Sequence, residues 1–120
     1  MKSELFPRLT LLFAGIIGAL GVALSAMAAH GEDPRLLSAA AACMAQAPAL
    51  LALYLGFDKI RTAVIASLLI GLGCMLFAGD LVFRTQYGHG LFPMSAPTGG
   101  TMTILGWVAI AFGAFFRKPA

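Results

Sequence analysis

The side chains best placed to exchange a proton or hold a metal ion beside apolar surroundings are His30, Asp80 and His89, with Arg84 four residues beyond Asp80. An ionisable group inside or at the edge of a long apolar run is expensive to desolvate, so it is a functional hypothesis by default. Read functionally, the three could ligate a metal or relay a proton. Read structurally, Arg84 neutralises Asp80 from position i+4 of the same helix face, and the outer loop hydrogen-bonds the carboxylate and is pinned on the bundle. A metal site needs ligands at closely constrained spacing, and none of the three is local to another in sequence. The structural reading is therefore preferred. His30, Asp80 and Arg84 are grouped as a candidate structural or functional polar cluster, and no catalytic, metal or cofactor-binding residue is assigned.

Three further features carry weaker chemistry. Gln46 sits two residues before Pro48, which removes a helical hydrogen bond and should kink the chain. A glutamine there either joins helices by an interhelical hydrogen bond or marks a solute path, and one glutamine favours the first. Gly99 and Gly100, in Pro97-Thr98-Gly99-Gly100-Thr101, could present backbone amides to an anion such as a lipid headgroup, although paired glycines before a helix more often only make the turn. Cys43 and Cys74 have no second cysteine or histidine at ligand spacing and read as thiols buried among apolar neighbours.

The elements that must position these residues are four long apolar stretches separated by short charged breaks. The spacing predicts helices over about 9–29, 34–57, 60–82 and 101–116, with a long connection over 84–100 that holds two prolines and four glycines. Gly31 is expected to end the first helix in a left-handed conformation, Asp33-Pro34 to start the second, and Asp58 to cap the third. At 1.5 Å per residue the run from Leu9 to Ala29 is about 31 Å long, the thickness of a bilayer core. Lys2, Arg8 and the small residues Ser25-Ala26-Met27-Ala28-Ala29 imitate a signal peptide, but that length favours a retained span. Gln46 falls about 18 Å into its helix, near a bilayer midplane, and Asp80 about 30 Å along its own, at the outer interface.

Threading follows from the cations. Lys2, Arg8, Lys59, Arg61, Arg117 and Lys118 fall on one side and only Arg35 and Arg84 on the other. By the positive-inside rule both termini are expected in the cytoplasm, with the 30–35 turn and the 84–100 loop facing outward, into the periplasm of a Gram-negative cell. Short links then give an all-α, integral-membrane bundle of four transmembrane helices running antiparallel, up and down. Small residues on the first helix (Gly15, Ala19, Ala23), the third (Gly71, Gly73, Ala78, Gly79) and the fourth (Gly106, Ala109, Gly113) are expected to let backbones approach closely.

A chain of 120 residues, 60% hydrophobic and 11% charged, is one domain and lies outside the range of water-soluble domains. The net charge of +3 is spread in pairs beside apolar segments, with no basic stripe, so nucleic acid is not an expected partner.

Several motifs resemble one family. Gly18-Ala19-Leu20-Gly21-Val22-Ala23 through Ala28-Ala29-His30-Gly31 is similar to the small-residue first span, ending in Ala-His, of the YgdD-like proteins (domain of unknown function 423). Leu76-Phe77-Ala78-Gly79-Asp80-Leu81 resembles that family's third span, and Pro97-Thr98-Gly99-Gly100 with Leu105-Gly106-Trp107 resembles its Pro-x-Gly-Gly and Gly-Trp pair. The resemblance implies four transmembrane helices and a bacterial inner-membrane address, and it supplies no reaction, ligand or partner. Gln46 stands where members of that family typically carry histidine, so any proton or metal chemistry at that position is expected to be missing here.

The expected function is a structural or accessory component of the inner membrane, in contact with lipids and with a larger membrane complex or further copies of itself. An oligomeric transporter or channel subunit for a small solute or ion is the alternative. An enzyme is not expected, since no nucleophile with a base, carboxylate pair or cofactor fingerprint is visible.

Overall fold

The apolar runs form helices, and the chain breaks where proline, glycine and charge interrupt them. The computed structural model describes residues 4–116. They are all-helical: α1 Leu5–His30, α2 Pro34–Leu55, α3 Ala63–Tyr87 and α4 Ser95–Gly113. α1, α2 and α3 are long and apolar enough to cross a membrane. α4 has 19 residues, and its first two turns are small, proline and hydroxyl residues, so its long apolar run begins only at Ile104. Lys2, Arg117 and Lys118, three of the six cations used to orient the chain, lie outside the described residues.

The first break is made by Asp33 and Pro34. The Asp33 carboxylate accepts from the Arg35 N–H at 2.9 Å, and Pro34 opens α2, where a missing N–H costs nothing. Gly31 is extended (φ −118°, ψ 177°) and not left-handed as expected, because its chain leads straight into the Asp33 cap instead of folding back over α1. Asp58 does not start α3. Backbone turns carry the chain from Gly56 to Ile60, and Thr62 precedes the helix with its hydroxyl donating to Ala109 O on α4 at 2.7 Å.

The largest difference from the sequence reading is the connection expected over 84–100. α3 continues to Tyr87, where Gly88 in the left-handed region (φ 81°) donates its N–H to Arg84 O at 2.8 Å. α4 already begins at Ser95, so only residues 88–94 connect the two. Pro97 falls in the first turn of α4, where its absent N–H has no intrahelical partner to lose. The glycines that resembled a loop are placed to contact α3.

α1 packs on α2 and α3 on α4 over the greatest extents, α2 meets α3 less extensively, and α1 touches α3 least. Among the described residues the backbone of α4 meets only α3. A methyl group added at Gly99 would stand 2.6 Å from Phe77 N and 2.7 Å from Gly73 O, and one at Gly73 would stand 2.8 Å from Thr103 N. Gly106 faces Ile70 N and Ala66 O in the same way, and Gly113 faces the Thr62 hydroxyl. Residue numbers rise along α4 as they fall along α3. On the other side of the molecule Gly21 sits against Met44 and Cys43, Gly18 against Ala47, and the ring of Phe13 fills the space over Gly71. Ile17, Ala39, Leu50, Ala66 and Ile70 are fully buried between the helices, yet Leu12, Val22, Leu37, Leu55 and Ile104 are exposed, so the outside is as apolar as the inside.

Gly99 and Gly15 should respond oppositely to the same substitution. Gly99→Ala drives a methyl into backbone that cannot yield, an overpacking cost of roughly 1–3 kcal/mol that outweighs the gain in helix propensity of about 1 kcal/mol. Gly15 has nothing within 4 Å of an added methyl, so Gly15→Ala should hold or raise stability. Thermal unfolding in detergent checks this, and a Gly99→Ala variant as stable as the parent would contradict the backbone contact.

Candidate functional site

The end of α3, the 88–94 connection and the start of α4 converge on one carboxylate. Asp80 is 0% exposed and follows a long apolar run of α3. One turn later Arg84 donates from Nε to Asp80 Oδ2 at 2.9 Å, the i, i+4 pair read from the sequence. The other oxygen, Oδ1, accepts the Leu91 N–H at 2.9 Å and the Ser95 hydroxyl. Three of the roughly four acceptor positions of a carboxylate are therefore filled by its own helix, the connection and α4. Because Ser95 is the first residue of α4, the carboxylate also lies close to the positive end of that helix, where a negative charge is stabilised.

The fit requires a glycine in the connection. A methyl group on Gly90 would overlap Asp80 Oδ1 and stand 2.6 Å from Arg84 Nη2. Arg84 is about one-third exposed (37%), so its guanidinium reaches from the buried carboxylate to the surface. Its carbonyl accepts Arg35 Nη1 at 3.0 Å, which ties the start of α2 to the end of α3. Arg35 also approaches Asp33 at 3.8 Å.

The structure does not assemble the other members of the expected cluster. His30 is exposed at the end of α1, and among the described residues no hydrogen bond or ion pair joins it to Asp80 or Arg84. His89 is exposed, with Nδ1 3.0 Å from Gly90 O and its ring edge-on to Phe83 at 5.4 Å, which in turn lies 4.6 Å from Tyr87. Among the described residues no group of three His, Cys, Asp or Glu gathers at metal-binding distance. Gly99 and Gly100, expected as headgroup contacts, do not offer free amides. They are the fifth and sixth residues of α4, where helical N–H groups already have carbonyl partners, and Gly99 is buried against α3.

Gln46 takes the interhelical role: Trp107 donates from Nε1 to Gln46 Oε1 at 2.9 Å. The bond spans α2 and α4, whose backbones do not approach, across a crevice of about 130 Å³ lined by Ala42, Gln46, Cys74, Phe77, Gly100 and Thr103. The residues that sequence reasoning missed are Gly90, Leu91 and Ser95. Ser95 followed closely by Pro97 is a helix-start signal that could have located α4, but nothing in sequence announces a loop N–H aimed at a carboxylate.

The fold and this corner define a small all-helical protein with three membrane-length helices and a fully engaged buried acid. The chain belongs to the family described as protein of unknown function, DUF423, whose model matches residues 24–100. The matched span contains Asp80, Arg84, Gly90 and Ser95. No solved structure matches the chain.

Chemically, Asp80 is an acceptor committed to internal donors, and its hydrogen bonds tie the 88–94 connection to α3 and α4. Asp80→Ala removes three hydrogen bonds, one of them with a charged donor, and should cost about 2–4 kcal/mol. Gly90→Ala should act alike by forcing the pair apart. Hydrogen exchange checks both: protection of residues 88–98 is expected to fall in each variant while the centre of α1 is unchanged. Unaltered protection in Asp80→Ala would show that the carboxylate does not hold the loop.

Proposed function

We propose that this protein is a non-enzymatic, multi-pass component of the bacterial inner membrane, acting as a structural element or as an accessory subunit of a larger membrane complex. The observation that carries the reading is an apolar exterior wrapped around helices whose buried polar groups are already engaged. Among the described residues every buried side-chain nitrogen or oxygen has a hydrogen-bond partner, and large apolar side chains cover the outside. Such a surface suits lipid, and such an interior leaves no polar path for a solute or free group for catalysis. Lipids are the expected surroundings, no cofactor is assigned, and nucleic acid is not a partner.

In this reading α4 is the fourth span, because it lies backbone to backbone along α3 and must follow it across the bilayer. The helices then form an antiparallel up-down bundle about 50 Å along its longest axis, close to the 40–45 Å of a bilayer with its headgroups. Lys59 and Arg61 place the 56–62 turn in the cytoplasm with both termini, and the Asp80 corner faces outward.

Native mass spectrometry of the protein extracted in mild detergent from its own membrane tests the functional part. A stoichiometric protein partner is expected. A bare chain that instead carries a solute into vesicles, with uptake lost in Gln46→Leu, would replace this reading with a transporter. A reporter fused after residue 120 tests the threading, with cytoplasmic activity expected and periplasmic activity overturning it.

A further inference from the structure

Gln46 lies near the centre of α2, about 18 Å from its start at 1.5 Å per residue. Chemistry orients its amide. An indole N–H only donates, so the atom 2.9 Å from Trp107 Nε1 is the amide oxygen, and the nitrogen occupies the other branch. Among the described residues neither N–H of that nitrogen has an acceptor. Every buried polar side-chain atom there has a partner, so this nitrogen opens at the surface of the chain. The neighbouring crevice offers little help: of the other residues lining it, only Thr103 carries a side-chain oxygen, whereas an ordered water typically needs about three polar partners.

We propose that the side of α2 bordering Gln46 docks a second copy of this chain, with the two Gln46 amides paired across a twofold axis. Each amide donates one N–H to the other's Oε1, whose second lone pair the Trp107 bond leaves open. The inference rests on the membrane placement proposed above. At the middle of a bilayer neither water nor headgroups reach the amide, and an unsatisfied donor there is costly. Copies inserted in the same direction and related by an axis along the membrane normal hold every residue at the depth of its counterpart. The group that meets Gln46 is therefore another Gln46, a self-complementary donor and acceptor.

The surroundings allow the approach that this pairing needs. Ser38, Ala42, Ala45 and Ala49 share the side of α2 next to Gln46, and all four are exposed or half-buried. None carries a side chain long enough to hold a second helix away. The large exposed side chains Met44 and Leu51 lie on the other side of α2, where they line a groove with α1. A partner of another kind would have to bring an acceptor to the same depth, whereas a second copy carries one there by symmetry.

Cross-linking in carbonate-washed membranes gives the test. In full-length chain freed of its own thiols by Cys43→Ala and Cys74→Ala, copper-phenanthroline oxidation is expected to link Ala45→Cys into a covalent dimer of the chain, and to leave unlinked Val22→Cys, which is 63% exposed on α1. Sedimentation of the otherwise unaltered protein in mild detergent supplies a second reading. Gln46→Met, of similar length but without donors, should weaken self-association roughly tenfold, the worth of two interhelical hydrogen bonds. Trp107→Phe keeps the amide and should keep the dimer. Chain retained in the membrane with Ala45→Cys unlinked, linked to a different protein, or linked no more than Val22→Cys would overturn the dimer alone, as would Gln46→Met associating like the parent. Release of the chain by carbonate would overturn the membrane placement, and this inference with it.

Discussion

The constraint on which the rest of the structure depends is backbone contact between α3 and α4. Gly99, Gly106 and Gly113 recur every seventh residue, so they line one face of α4, and each meets main chain or a short side chain of α3. Contact this close leaves little room for side chains between the helices, with Ile70 packed directly over Gly106. What stabilises it is dispersion between backbones, which works equally well when the surroundings are hydrocarbon. It also fixes the position of α4 so far to one side of α3 that, among the described residues, no other helix backbone meets it.

That displacement explains the two long side chains that reach across the molecule. Gln46 and Trp107 join α2 to α4 over the crevice that α3 leaves between them, and Thr62 bonds Ala109 nearer the other end. At the far end Asp80 collects Arg84, Leu91 and Ser95, while Arg35 reaches Arg84 O from α2. Polar bridges thus stand at three levels along the α3–α4 pair. Non-directional apolar contact would tolerate a helix sliding by a turn, whereas each of these bonds is satisfied in one register only.

The presence and order of the first three helices were legible because an apolar run long enough to span a bilayer has few alternatives, although α1 starts four residues earlier than expected and α3 ends five residues later, and the Asp80–Arg84 pair was legible because four-residue spacing on a helix fixes adjacency. The 84–100 region was misread because glycine has two uses that composition does not separate. Gly88 supplies a left-handed cap and Gly90 clears space for the ion pair, both consistent with a loop, but Gly99 and Gly100 lie inside a helix, where the missing side chain at Gly99 admits a neighbouring backbone. His30 was grouped with Asp80 on depth alone. Depth sets height along a helix and says nothing of the direction around it, and His30 is exposed at the end of α1.

The buried acid ties the two facing ends of the α3–α4 pair together. Glycine-lined helices could approach at several offsets, and a seven-residue connection is long enough to permit some of them. Asp80 removes that freedom, because its carboxylate meets the first hydroxyl of α4, a main-chain N–H of the connection and the arginine of its own helix together only when Gly99 lies over Phe77. A charge desolvated to this degree is costly unless all its donors are present. The cost of losing one donor is what makes the register specific, and the glycine contacts further along the pair inherit their alignment from it.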